Sequence, residues 1–429
     1  MKFRINILGY VLISIVALLL SFVFQSCEDQ PDKYKIASGT PTIYYACLSR
    51  VSSKDSLITG AYMGQNVTFV GENLRSITKM YFNDQEAVLN SSFITNNTLL
   101  VDVPNNLSNN PTDKIYMVNK NGDTTIYNFK VLVPKPVVSA LNNEYAADGD
   151  TVTLTGDYLL NYTSSPLKIT MAGNVAVTDF ISYSKTSVKF VVPAGSQKGY
   201  VTVTSKYGKS QSSFYFRDDR NVLFDWDGNG TALASGHGWR NGKIATSIDG
   251  VNSLSGNFLY FKGSLDGGIG VTWDEDDFSF DYWPDPTNGY PELSSLFDAS
   301  DLSKLELKFE VNVPNIWDAC SMQIIFTGNS DVTYANATNS YLSSSTLPRA
   351  LWTPWYGTDK GYTTKGWTTV TIPLSDFKYG PDGSTLTTAL TGGPGKLTGL
   401  TFFVWKGPYA GTSCTPTICI DNIRIAPIN

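Results

Sequence analysis

Gly64-Gln65-Asn66-Val67-Thr68-Phe69-Val70-Gly71-Glu72-Asn73-Leu74 returns further along the chain as Gly149-Asp150-Thr151-Val152-Thr153-Leu154-Thr155-Gly156-Asp157-Tyr158-Leu159. The offset is 85 residues, from 64 to 149, and later landmarks keep it closely. Leu100-Val101-Asp102-Val103-Pro104 corresponds to Lys189-Phe190-Val191-Val192-Pro193, and the Asn121-Gly122 turn to Tyr207-Gly208. Self-similarity at a fixed period marks a duplicated structural unit, and loop insertions leave a small drift. Val67 and Phe69 flank Thr68, and Val201 and Val203 alternate with Thr202 and Thr204. This period of two sends successive side chains to opposite faces of a strand. Short strands broken by Gly, Asn and Pro predict an antiparallel β-sandwich in each copy, at 40–133 and 137–216. Between them, Pro134-Lys135-Pro136 fixes φ twice and predicts a stiff joint, so the pair reads as a stalk.

After Arg217-Asp218-Asp219-Arg220 the composition changes: all nine tryptophans lie between Trp226 and Trp405. Leu305-Glu306-Leu307-Lys308-Phe309-Glu310-Val311 alternates cleanly, as does Val370-Thr371-Ile372-Pro373-Leu374. Leu400 to Val404 is apolar on both faces, as in a central strand covered on both sides. No helical period of useful length interrupts this pattern. The fold class is therefore all-β: two β-sandwiches in series, then a larger jelly-roll-like β-sandwich over 221–429.

The amino terminus reads as an export signal rather than as part of a fold. Lys2 and Arg4 precede an apolar run from Ile5 to Phe24, and Phe24-Gln25-Ser26-Cys27 loosely matches a bacterial lipobox. On that reading residues 1–26 are removed, Cys27 is lipidated, and 27–39 is a polar tether. An uncleaved membrane anchor is the alternative. Acyl chains bury about 0.8 kcal/mol per CH₂, enough for stable anchoring when two or three are attached. Glu28, Asp29 and Asp32 just past Cys27 resemble the signal for the outer face of the outer membrane. Losing Lys2 and Arg4 moves the formal charge from −6 to −8. Nucleic acid is an unsuitable partner for such a chain, since that affinity comes largely from Lys and Arg on phosphates. No CxxC pair exists, which argues against zinc, and no cofactor is expected. Cys414 and Cys419 could form a disulfide outside the cytoplasm.

The repeated G-x-x-V-T-hydrophobic-x-G-x-x-L pattern, the later Val-Pro and the Asn-Gly or Tyr-Gly turn resemble the IPT/TIG immunoglobulin-like domain. Three further stretches are similar to the C-terminal domain of surface glycan-binding proteins: Pro348-Arg349-Ala350-Leu351-Trp352-Thr353-Pro354-Trp355, Trp367 to Phe377, and Ile420-Asp421-Asn422-Ile423-Arg424. That family comprises outer-membrane lipoproteins of polysaccharide-utilisation systems. The resemblance implies non-catalytic capture of a plant or dietary polysaccharide beside a glycan-import complex.

A pyranose presents C–H groups on its face and hydroxyls at its rim, so a rigid indole covers it through dispersion and its π quadrupole. Trp283 (in Tyr282-Trp283-Pro284), Trp317 (after Val313-Pro314), and Trp352, Trp355 and Tyr356 around Pro354 stand in proline-stiffened irregular segments. These are the expected platforms, with Trp317, Trp352, Trp355 and Tyr356 preferred. Trp405, at a strand end, divides evenly between core and binding face. Trp226, Trp239, Trp273 and Trp367 read as core or strand-edge anchors, and Gln323 and Arg349 as structural neighbours. The expected ligand is a β-linked glucan- or mannan-type chain.

Three motifs suggest other chemistry. Asp225-Trp226-Asp227-Gly228-Asn229-Gly230 begins like a calcium loop, but the twelfth position is Gly236 where a bidentate acid is needed. Asp274-Glu275-Asp276-Asp277 reads as a solvated loop rather than a paired glycosidase site. His237, the sole histidine, lacks any sequence hint of a nucleophile partner. A glycoside hydrolase or lyase on the same scaffold, or an Ig-repeat adhesin for a host protein, are the alternatives.

Overall fold

The computed structural model describes residues 35–50, 52, 56–268, 277–405 and 407–428. The leader, Cys27 and most of the tether lie outside the described residues, as do Trp273 and Asp274-Glu275-Asp276. Among the described residues helix is confined to 3₁₀ turns of three or four residues, and the fold is all-β. The chain divides into two compact units, with the boundary between Pro134 and Lys135.

The first unit is a sandwich of two four-stranded sheets. One sheet runs Leu57–Ile58, Thr42–Leu48, Asn66–Glu72, Thr98–Asp102; the other runs Gln85–Glu86, Ile77–Phe82, Lys114–Asn119, Thr124–Asn128. Alternation in Asn66–Glu72 buries Val67, Phe69 and Gly71 and leaves Thr68 and Val70 half-covered. Phe69, Phe82 and Phe129 meet at centroid distances of 5.3 to 6.1 Å in the core.

The second unit begins with the other copy of the repeat. The glycines shared by both copies of the motif explain themselves there. A Cβ on Gly71 would stand 1.8 Å from the Thr42 carbonyl, and one on Gly156 1.9 Å from that of Val137. In each copy the neighbouring strand shifts register just beside the glycine, between Ile43 and Tyr45 and between Val138 and Ala140. A bulge pushes a carbonyl toward the next strand, and only a residue without a side chain accommodates it.

The terminal sandwich pairs two further sheets. The larger runs Lys243–Ala245, Phe258–Lys262, Thr417–Pro427, Leu305–Asn312, Thr368–Pro373, and Val222–Phe224 also pairs with Thr417–Pro427. The smaller runs Ser279–Tyr282, Gly399–Val404, Met322–Thr327, Ala350–Trp352. Between them lies a core that includes Phe224, Phe280, Phe309, Ile324, Phe402 and Ile420. Gly399–Val404 is an inner strand buried along its whole length, as its apolar run predicts.

The alternation in Leu305–Asn312 predicts one wet face, yet Lys308 and Glu310 are buried. The second Ig-like sandwich covers them. Glu144, from that sandwich, accepts from Lys308 Nζ at 2.8 Å and from Arg424 Nη2 at 2.8 Å. Arg424 Nη1 in turn donates to Glu310 Oε2 at 2.9 Å, and its guanidinium lies over the Tyr145 ring. The Asn142 carbonyl accepts from the Thr369 amide and the Thr368 hydroxyl, and Thr369 Oγ1 accepts from the Glu144 amide. Buried charges of this kind are tolerated only when each finds partners.

Candidate functional site

Three of the expected platforms are core residues. Trp317 and Trp283 are 0% exposed and Trp355 only 4%, so none offers a face to a ligand. The expectation is corrected for a specific reason. A buried indole usually finds an acceptor for its N–H, and irregular backbone supplies such carbonyls for Trp317 and Trp355. Trp317 Nε1 donates to the Ala319 carbonyl at 2.6 Å and Trp355 Nε1 to that of Cys320 at 2.7 Å. Trp283 Nε1 donates to the Tyr341 hydroxyl at 3.3 Å. The proline-stiffened segments thus turn their tryptophans inward. The anchors Trp226 and Trp367 are buried as expected.

Trp317 and Trp355 tie the 315–321 and 352–357 segments to one backbone stretch, and this fixes what stands outside. Tyr356 is 56% exposed and lies flat on Tyr409, which belongs to the loop after Trp405. Trp352 is half-buried, edge-on to Phe309, Trp317 and Tyr362 at 5.4 to 5.8 Å. Trp405 is half-buried and stacks at 27° on Phe403, at 5.6 Å between centroids. Its amide donates to the Ser321 carbonyl, and its own carbonyl accepts from Gln323 Nε2 at 2.9 Å.

The most exposed tryptophan described is one read from sequence as an anchor. Trp239 is 58% exposed and leans edge-on against buried Trp283, at 5.3 Å and 72°. Gly238 makes that contact: a Cβ there would stand 2.6 Å from Asp281 Cβ and 3.3 Å from the Trp283 ring. The preceding His237 is clasped between Tyr290 and Tyr334, stacked within 6° and 17° of their planes. Tyr334 is itself 48% exposed. The Gly236-His237-Gly238-Trp239 run carries the missed signal. Gly236 and Gly238 let the backbone press against Asp281, where a Cβ on either would stand 2.6 to 2.7 Å away, and this close approach sets Trp239 at the surface.

Trp405, and Trp239 through Trp283, border the outer face of the smaller sheet, whereas Trp352 packs against the core between the sheets. Across that face Arg240 Nη2 pairs with Asp281 Oδ2 at 2.6 Å, and both are buried. The hydroxyls of Tyr341 and Thr401 donate to Asp281 Oδ1, each at 3.1 Å. Burial pushes the Asp281 carboxyl up despite the pull of Arg240. The segment 328–349 crosses the same face and buries Val332, Tyr341 and Leu342 on Ile325 and Phe403. Arg349, fully buried, pins it by donating to Gln323 Oε1 and to the carbonyls of Leu342, Tyr341 and Ser344. Burial among neutral acceptors lowers its pKa to about 10. Gln323 and Arg349 are structural, as expected.

The remaining motifs resolve into local structure. Asp225 accepts the amides of Asp227, Gly228 and Asn229, closing the calcium-like loop on its own backbone. Asp277, the described member of the acidic run, pairs with Lys243. Cys414 and Cys419 are free thiols, the latter buried and pushed up to about 12. Among the described residues no group of three or more His, Cys, Asp or Glu is arranged to hold a metal.

Residues 216–427 match a family model described as the surface glycan-binding protein B xyloglucan binding domain, and residues 136–217 match the IPT/TIG domain. The chain resembles the crystal structure of surface glycan-binding protein PbSGBP-B from Prevotella bryantii. Identity is 36% and the TM-score 0.81, over 92% of this chain and all of that one. An IPT/TIG domain-containing protein of Bacteroides ovatus is 28% identical over 159 residues, which is 36% of this chain and 30% of that relative's length. With a closely superposing relative matched from end to end, and its own domain model matched over the terminal sandwich, the chain belongs to the surface glycan-binding protein B family.

Proposed function

We propose that this chain binds a neutral β-linked glucan, of the xyloglucan class, through aromatic rings on its terminal sandwich, without cleaving it. The observation that carries this reading is a pair of exposed ring groups on that sandwich, Trp239 backed by buried Trp283 and Tyr356 stacked on Tyr409. Trp239 rests on Trp283, and Tyr356 follows Trp355, whose indole is buried and tied to Cys320. A platform held from behind loses little freedom on binding, which is where much affinity is otherwise spent. The class of glycan follows from the family model matched over 216–427.

The absence of cleavage rests on how the nearby carboxylates are used. Asp281 is enclosed by Arg240, Tyr341 and Thr401, and Asp285 Oδ2 accepts from Asn288 and lies 3.6 Å from His237 Nε2. Neither is set as half of an acid–base pair flanking a sugar. In the same reading Cys27 carries the lipid that holds the chain on the outer face of the outer membrane, beside an import complex.

Electrophoresis in native gels containing a panel of polysaccharides tests the binding. Retardation by xyloglucan or another β-glucan is expected, with Trp239→Ala and Tyr356→Ala migrating faster than the parent. Failure of every β-glucan to retard the parent protein refutes the reading. Release of reducing ends would replace it with the hydrolase. Loss of radiolabelled palmitate incorporation in Cys27→Ser checks the anchor.

A further inference from the structure

Trp239 with Tyr334, and Trp405, stand at opposite ends of one face, and the strand register gives their separation. Ser279 pairs with Phe403, so Trp405, two residues beyond, is level with position 277. Trp283, which supports Trp239, lies six residues further along the same strand direction. Six residues at ~3.3 Å each place the two ends ~20 Å apart. Trp405 and Trp283 both contact the small apolar cluster on the outer side of this sheet, which fixes them to the same face.

What lies between them is not bare sheet. The segment 328–349 covers it and turns its apolar side chains down, as Arg349 requires. Outward it presents Tyr334, Asn336, Ser340, Ser343 and Thr346 as exposed side chains. Tyr334 also belongs to the stack on His237, so the segment is joined to the Trp239 end. The surface therefore reads aromatic, then hydroxyl and amide, then aromatic. Hydroxyl-rich floors suit the rims of sugar rings, and flat rings suit their faces. A compact mono- or disaccharide cannot use both ends, whereas a polymer repeats its face indefinitely.

We infer that segment 328–349 is the polar floor of a glycan track running from Trp239 and Tyr334 to Trp405, so that the ligand is an internal stretch of an extended chain. This rests on the proposed β-glucan binding. Linked contacts on one ligand add by raising the effective concentration of the second contact once the first has formed.

Calorimetric titration with oligosaccharides of one β-glucan, from disaccharide to decasaccharide, tests it. Affinity of the parent protein is expected to rise with length until the ligand spans ~20 Å, then to level off. Trp239→Ala is expected to lower affinity for the longest ligand roughly ten-fold or more and to level off at a shorter length. Tyr334→Ala should show the same pattern to a smaller degree, while Tyr334→Phe restores the parent curve. Both positions are exposed, and a thermal melt confirms that the variants are folded. Three results overturn the track: full affinity for a trisaccharide, equal loss at every length in Trp239→Ala, or no loss at all. Absence of binding by the parent at every length instead removes the function on which it rests.

Discussion

Lys308, Glu310 and Arg424 point away from the core on the larger sheet of the terminal sandwich, and Gln323, Phe403 and Trp405 do so on the smaller one. Both outward faces are covered, but by different means. The first carries charges and is closed by the second Ig-like sandwich through Glu144. The second carries aromatic rings and amides beside the Arg240–Asp281 pair and is closed by the chain's own segment 328–349, with exposed rings at its margins. Buried ion pairs fix geometry but add little net stability, because desolvation offsets most of their attraction. Clustered exposed rings on a folded surface mark an interaction site more often than a structural one. On the proposed function, one face holds the domain and the other meets the ligand.

Breaking the held face should have the largest effect. Arg424→Met leaves Glu144 and Glu310 buried without their partner, and a loss of about 3–5 kcal/mol is expected from the urea midpoint. Glycan affinity measured on the folded fraction should not change; a parallel fall in affinity would show the two faces to be coupled. Trp355→Ala, a core truncation, should cost about 3–5 kcal/mol as well. It should also weaken binding, because the loop presenting Tyr356 loses its tie to Cys320.

The held face also predicts a pH dependence. Asp421 lies opposite Glu310 in register and is 0% exposed; burial pushes its carboxyl up to about 9. Its unfolded value is about 3.9. Between those limits the folded chain binds one proton more than the unfolded chain, so this group's stabilising contribution is complete below pH ~4 and is lost as pH rises toward 9. Glu310, pushed up to about 6, acts in the same direction over a narrower window. Asp421→Asn mimics the protonated acid and should flatten the decline in urea midpoint between pH 5 and pH 8. A slope identical to the parent's would show that Asp421 is ionised in the folded chain.

The smallest effect on stability belongs to the recognition face. Trp239→Ala should change the unfolding free energy, read from urea denaturation, by no more than about 0.5 kcal/mol, as surface substitutions do. Glycan binding should nevertheless weaken by about 1–3 kcal/mol, the range for one aromatic platform. A large loss of stability would move Trp239 from platform to prop.

Much of the fold was legible because strands advertise themselves with a period of two and the repeat advertises itself twice. Gly71 and Gly156 occupy matching positions for one steric reason, the carbonyl of a bulged neighbour. Leu400 to Val404 announced an inner strand by being apolar on both faces. The site was less legible. Proline beside Trp317 and Trp355 signals irregular backbone, and irregular backbone does not say which way a ring turns. Glycine beside Trp239 was the better sign, since it reports that the backbone itself is pressed against something. Tyr356 and Tyr409 are 53 positions apart, and no local pattern could pair them.

By itself the sequence determined the order of three sandwiches, the inner strands and the aromatic-rich end, because those depend on residue periodicity and composition along a few neighbouring positions. Only the tertiary structure decided that Lys308 and Glu310 are dry, that Trp283, Trp317 and Trp355 serve the core, and that Trp239 faces water. Burial is set by what another part of the chain brings to the same place, and that partner is distant in sequence.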